Sequence, residues 1–538
     1  MVSAAQPAWA VSPFRIASQE EFARLREVFE QGGYTESQLC ERAGADVTSV
    51  FDLWPGSKRS SFASVTDAQS LLVRLFFDGD AVSAKALDDL LPRDHIETLR
   101  SFDLIYSQAP HEDMVATRIA IYPIEGLYIA SDRLSRPFAE ASGAAPMDLV
   151  FSPILPQTRA FLRLMPRERC ESFLELCGGS GVAALVGAQR FASHATVVDI
   201  TDRSTRCAAF NAALNGVSNV SALEGDLYAP LVGETFDLIV AHPPYVPALE
   251  SRLTFRDGGI DGEGITSRIF EGLADHLRPG GQCFVDCLMS SREGMPVEQR
   301  VREMLGSSSQ EFDVVVAQGA TLDPLHFMLD QACEGLASFA DLEEWRDTFR
   351  RLDVDGLVMA SVLVQRKSTA RPVITTRRVR SSLTSGGDMQ WMMRWMVTTA
   401  SWAPSDELRL LSSHPRTLPR TELRSRSRLV DGQWYGEECA LVTLAPFAVE
   451  ATCPSWYATL LQWCDGRMTA REHLQYLRDT HAVPDDAPEE AFARMIRQLL
   501  DAGLVEIDEF RLPDATAMRD TVGVRDRARD GQPVERAD

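Results

Sequence analysis

The sequence predicts an α/β protein, in which a mostly parallel, doubly wound sheet of seven strands is flanked on each side by a smaller α+β domain of winged-helix character. Three observations carry this expectation. From Ser172 onward, apolar runs near 172–176, 195–199, 220–223, 236–240, 282–287, 312–316 and 357–365 alternate with helical patterns, the rhythm of strand, crossover helix and parallel strand. The first run leads into a glycine turn, Phe173-Leu-Glu-Leu-Cys-Gly-Gly-Ser-Gly181, followed by a helical stretch from Val182 to Gln189. On either side of this region, helical stripes give way to short alternating runs.

In chain order, residues 1–17 read as an N-terminal tail without the basic region and apolar core of a signal peptide. Residues 18–150 form the first flanking domain. Phe22, Leu25, Val28 and Phe29 lie at helical spacing, as do Leu71, Leu72, Leu75 and Phe76, and Gly79 ends the second stripe. Alternation through Thr117–Tyr122 and Gly126–Ala130 then predicts a hairpin. A proline-punctuated connector from Phe151 enters the central domain, 151–367, through a helix starting near Thr158. Residues 368–400, rich in Ser, Thr, Gly and Arg at their start, read as a linker. In the second flanking domain, 401–513, Thr469-Ala-Arg-Glu472 fits a capping box, and Phe492, Ile496, Leu499 and Leu500 line one helix face. The polar stretch 514–538 reads as a disordered tail.

Composition narrows the function classes. A chain of 538 residues with a hydrophobic fraction of 45% can build several full cores. A formal net charge of −23 argues against broad affinity for duplex DNA, which draws on clustered Lys and Arg. The ten cysteines are scattered, and the close pair Cys283 and Cys287 sits in an apolar strand rather than a metal-ligand knuckle. Reduced, partly buried thiols in a cytoplasmic protein are the expectation, with no metal site. No uninterrupted apolar run is long enough to span a membrane.

The chemistry-bearing residues cluster at the expected C-terminal strand ends, where ligands of such sheets bind. The glycine turn offers backbone N–H groups at a helix N-terminus, and Thr196-Val-Val-Asp199 ends a second strand in a carboxylate suited to ribose hydroxyls. Glu224-Gly-Asp226 follows the third strand. Phe236-Asp-Leu-Ile-Val-Ala-His-Pro-Pro-Tyr245 forms the fourth strand and the turn beyond it. Each of these carboxylates, taken alone, also reads as a strand-end turn residue.

Over Phe151 to Lys367 this ordered set resembles the class I S-adenosylmethionine (SAM)-dependent methyltransferases, and within them the Asn-Pro-Pro-Tyr group. That group includes the release-factor glutamine methyltransferases and the ribosomal RNA guanine N2 methyltransferases. Further blocks of the resemblance are Asn211-Ala-Ala-Leu-Asn-Gly216, Phe255-Arg-Asp-Gly-Gly-Ile-Asp-Gly262 and Leu277-Arg-Pro-Gly-Gly281. It implies a Rossmann-like domain with SAM as cofactor, held by Glu175, Cys177, Gly179, Gly181, Asp199, Ile200, Asp226 and Leu227. It implies an acceptor clamp made by His242, Pro243, Pro244 and Tyr245, with Thr158, Arg256, Asp257 and Asp261 on the substrate side.

The sequence departs from the group at two positions: His242 stands where the group has Asn, and Cys177 stands where it has its first glycine. Neutral imidazole still offers one acceptor lone pair for an N–H, and it can also take a proton. The methyl acceptor is therefore expected to be a planar nitrogen of a protein, an RNA or a small molecule, held between His242 and Tyr245. Two alternatives stay open. One is methylation of a peptide or small-molecule natural product, on oxygen, with His242 as general base; residues 445–510 loosely resemble small winged-helix modules that capture peptides. The other is a SAM-sensing regulator that binds nucleic acid. Oligomeric state has no signature in the sequence.

Overall fold

The structure, a computed structural model, describes residues 14–54, 58–108, 111–133, 148–250, 253–333 and 337–511. The expected tail at 514–538 and most of the expected tail at 1–17 lie outside them.

The central sheet is built from β1 (Cys170–Leu176), β2 (Ala192–Asp199), β3 (Val220–Glu224), β4 (Phe236–Ala241), β5 (Leu277–Arg292), β6 (Phe312–Leu322), β7 (Val354–Arg366) and β8 (Thr375–Val379). Their order across the sheet is β8-β6-β7-β5-β4-β1-β2-β3. The pairs β1–β2, β2–β3, β1–β4 and β4–β5 are parallel. β7 inserts antiparallel between β5 and β6. β1 and β4 occupy the middle and carry runs of buried residues on both faces, the pattern of strands covered by helices on each side. Strand order reverses between β1 and β4, so a crevice opens beyond their C-terminal ends.

The sheet has one strand more than the sequence predicts. β8 pairs in parallel with β6 and lies in the stretch expected to be a linker. The same stretch holds a helix, Gly386–Thr399, opened by a capping box in which Ser385 and Asp388 exchange hydrogen bonds. Its Met389, Trp391, Met392, Met393 and Trp395 are all buried. Apolar residues surround this helix instead of forming a stripe, because it is enclosed on several sides. Gly386 sits against the backbone of Leu164 and Met165, and the Trp395 indole N–H donates to Asp501 of the C-terminal domain.

The first flanking domain docks on the central one through α1 (Pro156–Leu164) and the crossover helices α2 (Val182–Arg190) and α3 (Asp202–Leu214). Its three-stranded sheet uses Val82–Ser83, His111–Thr117 and Ile105–Gln108. The hairpin expected to close that unit is instead a separate two-stranded sheet, Ile119–Ile124 with Leu127–Asp132, every residue of which is buried. Asn211 and Asn215 of α3 clip it in place. The Asn211 Oδ1 accepts from the Ala130 N–H and its Nδ2 donates to the Ala130 carbonyl; Asn215 does the same for Tyr128. Two side-chain amides thus stand in for a missing neighbouring strand. A buried Arg203–Asp132 ion pair and packing of Phe14, Phe22 and Phe102 around Phe210 complete the interface.

In the second flanking domain, helices Trp456–Trp463, Ala470–Asp479 and Glu489–Asp501 are followed by Val505–Glu506, which pairs with Arg416–Thr417. A three-stranded sheet of Glu422–Val430, Gln433–Thr443 and Val449–Thr452 precedes them, its first strand fully exposed. Among the described residues no helix is long and apolar enough to cross a membrane.

Candidate functional site

At the end of β1 the chain makes three left-handed residues in quick succession: Cys177 (φ 54°), Gly179 (φ 53°) and Gly181 (φ 72°). A Cβ on Gly181 would come within 2.9 Å of the Ala208 Cβ, so this glycine lets α2 start against α3. A Cβ on Gly179 would meet nothing within 4 Å, so here the constraint is backbone conformation, and the turn faces open space. Cys177 holds a conformation that a non-glycine residue adopts at a cost. Burial pushes its thiol well above the ordinary range, so it is protonated and unreactive.

Glu175 lies beneath this turn. Its carboxylate accepts from the Ala183 and Ala184 N–H groups (3.3 and 2.7 Å), capping the first turn of α2 from below. Burial pushes its carboxyl up to about 8, against the pull of those two hydrogen bonds. The expected contact with a ligand amino group therefore competes with an existing role at the helix start.

Asp199 closes the turn from β2. Its Oδ2 accepts the Gly179 N–H (2.9 Å), and its Oδ1 accepts from the Thr201 N–H (3.1 Å). The Thr201 hydroxyl also donates to Oδ1 (3.3 Å), so Oδ2 is the oxygen that keeps a second lone pair for a ligand hydroxyl. Burial raises the Asp199 pKa against those hydrogen bonds. Ile200, the next residue, is 54% exposed, an apolar side chain open to the crevice mouth. On the far side, Asp226 pairs with Arg268 (2.8 Å) and Leu227 is buried with φ 53°. The open glycine turn, the strand-end carboxylate and the exposed Ile200 fit the cofactor that the resemblance implies: space for close approach to backbone, a hydroxyl acceptor and an apolar surface for a base.

Beyond β4, three rings lie in sequence. Phe161 of α1 meets His242 with centroids 5.2 Å apart and planes tilted by 56°. His242 stacks on Tyr245, with centroids 5.5 Å apart and planes within 12°. Sandwiching a planar group between two rings takes about 7 Å, two van der Waals steps. As the rings stand, the expected clamp between His242 and Tyr245 has no room for an acceptor. Both residues are partly exposed, and Tyr245 packs against the core. The imidazole has no hydrogen-bond partner among the described residues, and burial lowers its pKa, keeping it neutral.

The turn carrying Pro243 and Pro244 is fixed by the glycine-rich loop that follows. Val246 donates its N–H to the Arg256 carbonyl and accepts from the Gly258 N–H, both at 2.9 Å. A Cβ on Gly262 would lie 2.3 Å from the Tyr245 carbonyl oxygen, which explains a glycine there. The charged residues expected on the substrate side are engaged within this loop and with its neighbours. Arg256 pairs with Asp257 (2.8 Å) and Gln331, the Asp257 Oδ2 accepts the Leu253 N–H, and Asp261 pairs with Arg292 (3.0 Å). Thr158 is buried in α1.

One group of residues here has no signal in the sequence. Asp286 follows Val285, the register partner of Ala241, and so stands beside His242; its side chain is 2% exposed. The Arg380 Nη1 donates to its Oδ1 (3.0 Å), and Ser361 donates to the same oxygen. Arg380 arrives from just beyond β8, 94 residues away along the chain, and no local spacing announces the pair.

Residues 152–313 match the family profile described as the methyltransferase small domain. The ribosomal protein uL3 glutamine methyltransferase of Bradyrhizobium diazoefficiens is 39% identical over 125 residues, 21% of this chain and 39% of that protein. The release factor glutamine methyltransferase of Xylella fastidiosa (strain Temecula1) is 35% identical over 118 residues, 20% of this chain and 43% of that protein. The chain thus spans less than half the length of these relatives. Among solved structures, a methyltransferase from Pyrococcus furiosus aligns at 18% identity over 40% of this chain and 87% of that chain, with a TM-score of 0.26.

Proposed function

We propose that this chain, which carries a methyltransferase small domain over residues 152–313, transfers a methyl group from SAM to a planar amide nitrogen of a protein. The observation that carries the reading is the meeting of two features at one strand-end crevice: the open Gly179 turn closed by Asp199, and the neutral, unpartnered His242 beside Tyr245. The relatives named for glutamine in a ribosomal protein and in a release factor support a protein amide as the acceptor class.

The cofactor supplies an activated methyl on a sulfonium, a good leaving group. The chain's own part is positioning. Asp199 accepts from the ribose hydroxyls, Ile200 and Leu227 flank the base, and the Gly179 N–H fixes the carboxylate that does the holding. The acceptor amide stacks on the outer face of Tyr245 and donates an N–H to a ring nitrogen of His242. That bond turns the nitrogen lone pair toward the methyl, and the same imidazole nitrogen takes the proton as the new bond forms. Holding the two reactants in line accounts for most of the acceleration in such a transfer. Because burial lowers the His242 pKa below its ordinary 6.5, the working neutral form is present at and above neutral pH and is lost only as pH falls.

Incubation with methyl-labelled SAM and separated protein, RNA and small-molecule fractions tests the proposal. Label is expected in protein, in a linkage stable to mild base. Label confined to RNA or small molecules would overturn the acceptor class. Label placed by mass spectrometry on a hydroxyl oxygen, as a base-stable methyl ether, would favour the second reading, in which the same neutral imidazole serves as general base for an oxygen acceptor.

A further inference from the structure

We propose that Arg380 is a positioning residue for the transfer described above, withholding the Asp286 carboxylate from His242 by pairing with it. The inference rests on that reading of His242, and it gives a task at the centre of the molecule to a residue outside the part of the chain that matches the family.

The geometry is specific. Asp286 sits at the level of the His242 turn on the neighbouring strand, on the face that also presents Phe284, against whose ring Phe161 stacks at 5.8 Å. It is one of the most buried carboxylates of the described residues, at 1% exposure. Arg380 crosses β6 and β7 to reach it. Three local features make that path possible. The Arg380 N–H donates to the Gln318 carbonyl at 2.8 Å, which fixes the start of the side chain. At Gly319 a Cβ would stand 2.7 Å from the Arg380 Nε, so any other residue would block the guanidinium. Ser361, the register partner of Asp286 on β7, hydrogen-bonds to both ends of the pair.

A buried ion pair is costly to desolvate, and well-packed apolar residues usually serve stability as well or better. A local reason for keeping this one is its effect on the ring beside it. The groups facing His242 are Tyr245 on its own turn, Phe161 from α1, Asp286 from β5 and Arg380 from beyond β8. Asp286 favours an imidazolium and Arg380 opposes it. An imidazolium has no lone pair to accept the substrate N–H, and its charge repels a sulfonium. With Arg380 in place, the imidazole faces a neutralised pair.

The test reads the His242 ring itself and needs no acceptor. The titration of the His242 imidazole is followed by NMR, its signal assigned by loss in His242→Gln, in the wild type, Arg380→Met, Asp286→Asn and the double variant. The expected pKa lies below 6.5 in the wild type and rises by about one unit in Arg380→Met. It falls further in Asp286→Asn, and the double variant returns to within a few tenths of the wild type. A titration that Arg380→Met leaves unchanged, or a rise in Asp286→Asn, would overturn the proposal. If Arg380→Met does not fold, the predicted fall in Asp286→Asn decides. Calorimetric SAM binding by the same variants keeps the two readings apart. Normal binding with an unmoved His242 titration sinks this inference alone, and absent binding in the wild type sinks the reading beneath it.

Discussion

Cys177 and Glu175 show how the glycine turn constrains single residues. Cys177 sits at φ 54°, where a Cβ carries a steric cost of roughly 1 kcal/mol. Cys177→Gly relieves that cost but enlarges the entropy of the unfolded chain. The net expectation is a stability change between zero and about +1 kcal/mol in urea unfolding. A clear loss would mean that the thiol contributes packing the backbone argument ignores. Glu175 gives a sharper prediction, because its sign can be worked out. Its folded-state pKa of about 8 lies above the ordinary 4.5, so the native state holds the proton more tightly than the unfolded state does. Its contribution to stability is therefore complete below about pH 4.5 and is lost as pH rises through 8. Relative to the wild type, Glu175→Gln should gain stability between pH 6 and 8.5, by on the order of 1 kcal/mol or more. Parallel stability profiles across that range would show that the two α2 N–H groups keep the carboxylate ionised.

Among the elements, α3 does most to join the domains. The expected methyltransferase block Asn211-Ala-Ala-Leu-Asn-Gly216 has a structural task, since Asn211 and Asn215 complete the backbone hydrogen bonding of the Leu127–Asp132 strand. Asn211→Ala removes the side-chain partner of the buried Ala130 N–H and leaves the Ala130 carbonyl only the weak Cys207 thiol donor. It should cost about 2–4 kcal/mol and raise hydrogen exchange at residues 127–132 before exchange in β1 or β4 changes. Exchange that rises equally throughout would mean that the hairpin and the central sheet open as one unit. The seven predicted strands were legible because each is a short apolar run bounded by turn residues. β8 and the helix Gly386–Thr399 were not. β8 is an edge strand with Arg377 and Arg378 in it, and the helix has buried residues on every side, so neither shows the periodicity that marks a half-exposed element.

Over the whole molecule, the residues expected to hold the cofactor from Glu175 to Asp199 lie within one βαβ unit, where sequence spacing becomes spatial proximity, while Asp226 and Leu227 lie beyond β3. The surroundings of His242 were only partly readable. His242 and Tyr245 stand in one motif, but the tilted contact of Phe161 with His242 and the Asp286–Arg380 pair are contacts across the fold. The expected substrate-side residues Arg256, Asp257 and Asp261 are engaged with their own loop and with the end of β5, contacts that sequence spacing does not announce. Arg380, which lies beyond the matched residues 152–313, pairs with Asp286 of the central sheet.

In the proposed function one crevice holds SAM through Asp199 and uses His242 only toward the acceptor. Isothermal titration of SAM into the wild type, Asp199→Ala and His242→Ala tests this most directly. The expected result is saturable binding by the wild type, at least tenfold weaker binding by Asp199→Ala, and binding by His242→Ala within about twofold of the wild type, a separation of roughly 1 kcal/mol or more between the two variants. No binding by the wild type, or equal losses in both variants, would contradict it.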